Sequence, residues 1–317
     1  MTHSIFIDGA EGTTGLNILD RLEGRPELDL IRLANDKRKD PKARREALND
    51  ASVAILCLPD DASRTAVSMI DNKTTRVIDA STAHRISKEW TYGFPEMTSE
   101  QADKISGAAR VTNPGCYPTG AIALVRPIVE TGIVPVDFPV TINAVSGYSG
   151  GGKSLIARME NPDAKNSIDS AWFGYGLGLA HKHTPEIQKY SALKHPPVFS
   201  PSVARFRQGM IVQVPLQLWS LPALQSTADI TKIMQAWYQG CSFVSVVDKA
   251  ETTDRIAFLD AEELNDTNEL RIFVFSNEET KQVILAAQLD NLGKGASGQA
   301  VQCLNLMLGL EEKAGLD

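Results

Sequence analysis

The chain opens with a short apolar run, Ile5-Phe6-Ile7, which ends in a glycine-rich turn from Gly9 to Gly15. Behind the turn Leu16, Leu19 and Leu22 recur at helical spacing, and Leu28 to Ala34 returns to a strand pattern. The alternation continues. The pattern predicts a polar helix over Pro41 to Leu48, a continuous apolar strand over Ala51 to Leu58, a helix over Ala62 to Ile70 and a strand over Arg76 to Asp79. An unbroken apolar strand belongs in a parallel sheet covered on both faces. The expected fold of this part is α/β, a Rossmann-like doubly wound parallel sheet.

Beyond about residue 120 the period changes. Val140 to Ser146, Met210 to Leu218 and Glu269 to Phe275 alternate as antiparallel strands do, and Val283 to Leu289 is a further strand. Asn161 to Pro201 reads as loop-rich, and loops of that length in a compact domain usually serve a function. Gly298 to Leu310 reads as a helix that returns to the first domain. The expected organisation is a first domain over 1–115, joined by the C-terminal segment 295–317, and a second α+β domain on a mixed sheet over 116–294.

Composition narrows the function classes. The chain has 317 residues and a formal net charge of −7, with no block of Lys or Arg standing clear of acids, which argues against nucleic acid and anionic membrane as partners. No apolar run reaches the ~18 residues of a membrane span. The first residues read as a strand rather than a signal peptide. Cys57, Cys116, Cys241 and Cys303 lie far apart with no C-x-x-C pair, which argues against a zinc site or disulfide framework and for a cytoplasmic setting.

The glycine turn reads G-x-x-G-x-x-G between a strand and a helix, the arrangement that lets backbone approach a pyrophosphate at a helix N-terminus. Gly9, Gly12, Thr13, Thr14 and Gly15 are its candidate dinucleotide contacts. Where the second strand should end, Asn35-Asp36-Lys37-Arg38-Lys39 sets bases beside an acid. An acid alone suits NAD, whereas Lys37 and Arg38 suit the extra phosphate of NADP; a solvated charged turn is the alternative. Pro59-Asp60-Asp61, the stretch Asp79 to Arg85 (with Ser81 a candidate cofactor contact) and the loop before Cys116 all follow strand ends. They are expected to meet at the nicotinamide end of the cofactor.

Asn113-Pro114-Gly115-Cys116-Tyr117-Pro118-Thr119 joins turn residues to an apolar helix. Pro118 fits a first helical turn, so Cys116 should stand at the helix start, where free amides and the dipole favour a thiolate. A small buried apolar residue is the alternative reading. In His181-Lys182-His183-Thr184-Pro185-Glu186, Thr184 reads as a helix cap and Pro185 as the first helical residue. Histidines just before a helix N-terminus stay neutral and suit acid–base work; a metal pair or an exposed pair are the alternatives, and no third metal ligand is evident. Gly147 to Ser154 matches the letters of a phosphate-binding loop but lies among antiparallel strands in mid-chain, which argues against that role. A thiolate, a neutral base and a dinucleotide turn together point to hydride transfer on a cysteine-bound acyl group.

These stretches, together with Tyr92-Gly93-Phe94-Pro95-Glu96, Ser146 to Lys153 and Asp290 to Gln302, resemble the N-acetyl-γ-glutamyl-phosphate reductase family, in its short type 2 form and in its order along essentially the whole chain. One departure is Glu11-Gly12-Thr13, where the family more often has Ser-Gly-Tyr. The resemblance implies NADPH-dependent reduction of N-acetyl-L-glutamyl 5-phosphate to the 5-semialdehyde with release of phosphate, through a cysteine thioester, in arginine biosynthesis. It implies Cys116 as nucleophile and His181 as acid/base, with His183 and Glu186 at the substrate. Arg85 matches a position suited to the acyl phosphate, Asn113 one suited to the developing oxyanion, and Asn291 the nicotinamide end. Arg205 and Arg207 are further candidates for the substrate carboxylate, with structural salt bridges the alternative. A homo-oligomer, dimer or tetramer, is implied in the same way. The competing readings are aspartate-semialdehyde dehydrogenase, which shares the layout, a non-catalytic dinucleotide-sensing regulator, and a cysteine hydrolase.

Overall fold

β1 (His3–Asp8) and β3 (Val53–Leu56) lie side by side at the heart of a six-stranded sheet, and all four residues of β3 are buried. In the computed structural model, which describes residues 2–222 and 226–316, the chain forms two compact units. The first takes in the chain up to Pro95, then Glu100–Gly115, and resumes at Ala296. Its other strands are β2 (Leu28–Ile31), β4 (Arg76–Asp79), β5 (Thr91–Tyr92) and β6 (Arg110–Thr112). The order is β2-β1-β3-β4-β6-β5, and every pairing is parallel.

Its helices are α1 (Thr13–Leu22), α2 (Pro41–Asp50), α3 (Asp60–Ser68) and α4 (Gln101–Gly107), with α10 (Gly298–Leu308) near the C-terminus. Sequence chemistry accounts for their ends. The Asp40 carboxylate accepts from the Lys42 amide at 2.7 Å, with Pro41 opening α2 behind it. Asp60 and Asp61 place negative charge in the first turn of α3. The apolar faces meet in a core that includes Phe6, Leu48, Leu56, Val77 and Trp90. β2 stops three residues short of the predicted Ala34, because the chain turns there: the Lys37 amide donates to the Ala34 carbonyl.

The second unit comprises Glu96–Ser99 and Cys116–Gly295. It begins its main run with α5 (Cys116–Glu130), whose side chains from Tyr117 to Val125 are all buried. β7 (Thr141–Gly147), α6 (Gly152–Glu160), β8 (Trp172–Gly174), α7 (Thr184–Tyr190), β9 (Val198–Ala204) and β10 (Met210–Gln217) follow. Then come α8 (Thr227–Trp237), β11 (Val244–Val246), α9 (Lys249–Asp254), β12 (Leu270–Asn277) and β13 (Gln282–Leu289). The sheet order is β11-β12-β13-β10-β7-β9-β8, parallel at β11/β12 and β7/β9 and antiparallel elsewhere. The segment 161–201 is loop-rich as expected, with α7, β8 and the start of β9 as its short regular pieces.

α5 contains Pro127, which has no amide to give the Ala123 carbonyl one turn back. The buried Tyr238 hydroxyl, just past α8, donates to that carbonyl at 2.8 Å.

Candidate active site

The first unit holds a cavity of about 530 Å³ beyond the carboxyl ends of β1 and β3. Successive strands depart to opposite sides there, the place where open α/β sheets take ligands. Its wall includes Asp8 to Gly12, Cys57 to Pro59, and the bases Arg38, Lys39 and Arg44. Gly9 has φ +88°, and a Cβ there would lie 2.4 Å from the Cys57 carbonyl oxygen. A Cβ on Gly15 would lie 2.5 Å from the Gly9 oxygen. Only glycine lets this turn fold back on itself, with the Gly12 amide closing it onto Gly9 at 3.0 Å. Thr13 and Thr14 open α1 immediately after it.

The predicted phosphate-binding bases separate. Arg38 lies on the cavity wall and is ion-paired with Glu11, the residue at which the glycine turn departs from the family pattern. Arg44 grips the buried Asp8 carboxylate at 2.7 Å. Lys37 is exposed and off the wall, while its neighbour Lys39 is on it. Of the predicted pair, Arg38 therefore faces the cavity and Lys37 does not.

The loops after β3, β4 and β6 are tied together by carboxylates. Asp79 is fully buried and accepts from the Ser63 and Ser81 hydroxyls, each at 2.8 Å, and its Oδ2 lies 2.6 Å from His84 Nδ1. His84 stacks on Trp90 at 4.2 Å. Asp60 accepts from the Thr82 amide and hydroxyl. The Asn113 amide donates to the Asp79 carbonyl at 2.7 Å. Ser81 thus has its hydroxyl committed to Asp79. Buried Arg85 folds onto its own loop and donates to the Ala80 carbonyl. The Asn113 side-chain amide donates to the Ala296 carbonyl at 2.9 Å.

In the second unit Cys116 is the first residue of α5 and half-buried. Tyr117, buried behind it, donates to the Ser202 carbonyl at 2.8 Å. Around Tyr117 gather Tyr175, His181, His183 and Phe199, with the His181 ring centroid 5.4 Å from Tyr175 and 5.2 Å from Phe199. Burial pushes the Tyr175 hydroxyl up to about 12, and the negative charge available to Cys116 adds to it. Tyr175 was not among the predicted residues; alternating glycines at 174, 176 and 178 are its one local signal.

His181 Nδ1 accepts from the His183 backbone amide at 3.1 Å, so the neutral ring carries its proton on Nε2. Burial first, then the Lys182 charge, pulls its pKa down to about 4. His183 is buried and caps α7, so Thr184 is the first helical residue rather than the cap and Pro185 the second. Glu186 is buried, and its charge helps raise the Tyr190 hydroxyl, after desolvation.

Other predicted residues have structural partners. Asn291 accepts from the Gly209 amide at 2.8 Å and donates to Ser149 Oγ at 2.9 Å. Its two ends are thus spent inside the second unit, clamping two turns. Arg205 pairs with Asp169 and Arg207 with Glu160. In the Gly147–Ser154 stretch, the amides of Gly147, Tyr148 and Ser149 all donate to backbone carbonyls of 206–209, so they form no phosphate cradle. Cys57 is pushed up to about 12 by burial and by the charges of Asp79 and Asp8, which leaves it an inert thiol. Among the described residues no group of three or more His, Cys, Asp or Glu is placed to hold a metal ion.

Comparison with known proteins adds sequence relatives to this geometry. A family model described as semialdehyde dehydrogenase, NAD binding domain, matches residues 4–105, and one described as semialdehyde dehydrogenase, dimerisation domain, matches residues 116–291. The chain is 51% identical over 318 residues to N-acetyl-gamma-glutamyl-phosphate reductase 2 of Nostoc sp., covering 98% of each chain. It is 51% identical over 310 residues to the N-acetyl-gamma-glutamyl-phosphate reductase of Brucella suis, covering 98% of this chain and 100% of that one. Among solved structures, aspartate semialdehyde dehydrogenase II of Vibrio cholerae superposes with a TM-score of 0.71 at 17% identity, covering 98% of this chain and 99% of that one. The NADP complex of the Candida albicans enzyme gives 0.62 at 14%, covering 99% of each. At such identities the structural likeness speaks for the fold alone.

Proposed function

The chain belongs to the N-acetyl-γ-glutamyl-phosphate reductase family, and from that premise we propose that it reduces N-acetyl-L-glutamyl 5-phosphate to the 5-semialdehyde with release of phosphate, in arginine biosynthesis. The observation that carries this reading is a half-buried cysteine opening a long helix, in one unit with a histidine held neutral.

The dinucleotide fits the first unit on physical grounds. The Gly9–Gly12 turn leaves room for close backbone approach, α1 supplies a helix N-terminus for the pyrophosphate, and Arg38 and Lys39 offer charge for the third phosphate of NADP. NADPH supplies a hydride to the acyl carbon when bound.

The chain's own residues do the rest. Cys116 Sγ attacks the acyl carbon, the carbon–oxygen bond to phosphate breaks, and phosphate leaves with the electron pair, giving a thioester on Cys116. His181, protonated at Nε2 and neutral, donates a hydrogen bond to the carbonyl oxygen as charge gathers there. After hydride arrives, the oxygen's electron pair re-forms the carbonyl, Cys116 leaves as thiolate, and the semialdehyde departs. His183, whose ring lies 4.8 Å from that of His181, and the buried Glu186 position the substrate in this reading.

The enzyme acts in the cytoplasm as a homo-oligomer. No helix among the described residues is long and apolar enough to cross a membrane. Ile256, Phe258 and Ile284 are exposed around a cavity of about 410 Å³ on the β10–β13–β12 face, an apolar surface suited to a second copy. Mass spectrometry after brief exposure to the acyl phosphate without reductant tests the reading. An N-acetylglutamyl adduct is expected on the Cys116 peptide. Its absence, or turnover of aspartyl phosphate in preference, would overturn it.

A further inference from the structure

Lys294 is the one lysine in the described core with no solvent exposure at all. Its Nζ lies 2.8 Å from both carboxylate oxygens of Glu96 and 5.6 Å from the centroid of the Phe243 ring. Taking two charges out of water is costly unless they are well paired, and an apolar pair of similar volume would fold as well. Stability alone therefore gives little reason for a buried ion pair at this place.

Its surroundings give another reason. Lys294 sits in a single π-helical turn, Gly293–Ser297, a form frequent at functional sites. The turn is pinned at its start as well. The Gly295 amide donates to the Asp290 carbonyl at 2.8 Å, and a Cβ on Gly293 would lie 2.0 Å from the Thr267 carbonyl oxygen. The next residue, Gly295, backs the nucleophile directly: a Cβ there would lie 2.8 Å from Cys116 Cβ and 3.2 Å from its Cα. Glu96 comes from Glu96–Ser99, a short excursion whose flanking residues on both sides belong to the other unit. These four residues group with the second unit, and one of them meets the buried lysine.

We infer that the Glu96–Lys294 ion pair is a positioning device that fixes the π-turn and, through Gly295, sets where Cys116 stands. The inference rests on the reading of Cys116 as nucleophile but concerns neither substrate nor cofactor. Both residues are positioning residues, since they act on the reaction only through the backbone at Gly295. A displacement of the nucleophile of the order of an ångström costs about a hundredfold in rate.

The test uses the full-length E96Q/K294M variant, which leaves no charge buried, and G295A, which presses on Cys116 from the same side. Three quantities are read: the thermal unfolding midpoint, the pH profile of iodoacetamide alkylation at the Cys116 peptide, and kcat against KM in phosphate-dependent NADP reduction with N-acetylglutamate 5-semialdehyde. For E96Q/K294M the midpoint is expected near that of the parent, with the alkylation profile displaced and kcat lower by about tenfold to a hundredfold while KM for NADP holds. G295A is expected to show the same kinetic signature, and it decides the matter if E96Q/K294M does not fold. A folded variant of either kind with parental alkylation profile and kcat overturns the inference. If the parent lacks reductase activity, the functional reading fails, and the alkylation profiles still decide this one.

Discussion

The two units approach small molecules by opposite means. The first offers backbone and surface charge: a glycine turn whose side chains would collide if they existed, and a wall of bases interleaved with acids. The second offers buried side chains: Tyr117, His183 and Glu186 are all below a tenth exposed, and Cys116 and His181 are half-buried. A cofactor common to many reactions is met by features that any α/β sheet can present. The candidate site of the second unit is built instead from buried side chains beside a histidine that burial holds neutral.

The sharpest break of this contrast is C116S. It should cut turnover by roughly four orders of magnitude or more while leaving NADPH affinity, a property of the other unit, within about twofold. Stopped-flow and fluorescence titration check the two halves. H181N should follow, losing about a hundredfold to ten-thousandfold in kcat, with H183N losing less than about tenfold; the reverse order would move the proton-handling role to His183. Because His181 is neutral above a pKa of about 4, the limb of kcat/KM that it controls should stay level from neutral pH down to about 5 and fall only below that. A fall centred near 6.5 would show that the ring is not desolvated in solution.

Smaller effects belong to the first unit. R38A/K39A should weaken NADPH by about tenfold to a hundredfold with NADH nearly unchanged, the worth of charge-assisted hydrogen bonds to one phosphate. K37A, off the cavity wall, should change either by less than about twofold. Equal losses for K37A and R38A/K39A would return the phosphate to the position expected from sequence.

The contrast also explains what could be read in advance. Four strands of the parallel sheet, β1 to β4, were legible because apolar runs announce them, whereas β5 and β6 span only two and three residues and carry no such run. Arg76 to Asp79 matches its strand residue for residue. In the second unit β8 spans three residues and β9 has Pro201 at its middle, so neither rises above the polar segments around it. They exist because β7 offers β9 a parallel edge. The helix start at Cys116 was legible from turn chemistry. The start of α7 was expected one residue late, because Thr184 read as the cap where the His183 backbone takes that role. Glu96 and Lys294 gave no local sign: each looks like an ordinary surface charge, and only folding brings together residues 198 positions apart.

The proline inside α5 has a consequence for how this sequence can drift. Tyr238 supplies the donor that Pro127 withholds from the Ala123 carbonyl. Swapping the phenol for phenylalanine while the imino acid stays would strand a core oxygen at a cost of about 1–3 kcal/mol. Restoring an ordinary residue at position 127 first makes the phenol redundant. The two sites are therefore bound to an order of replacement, and a lineage that has lost the tyrosine should already have lost the proline.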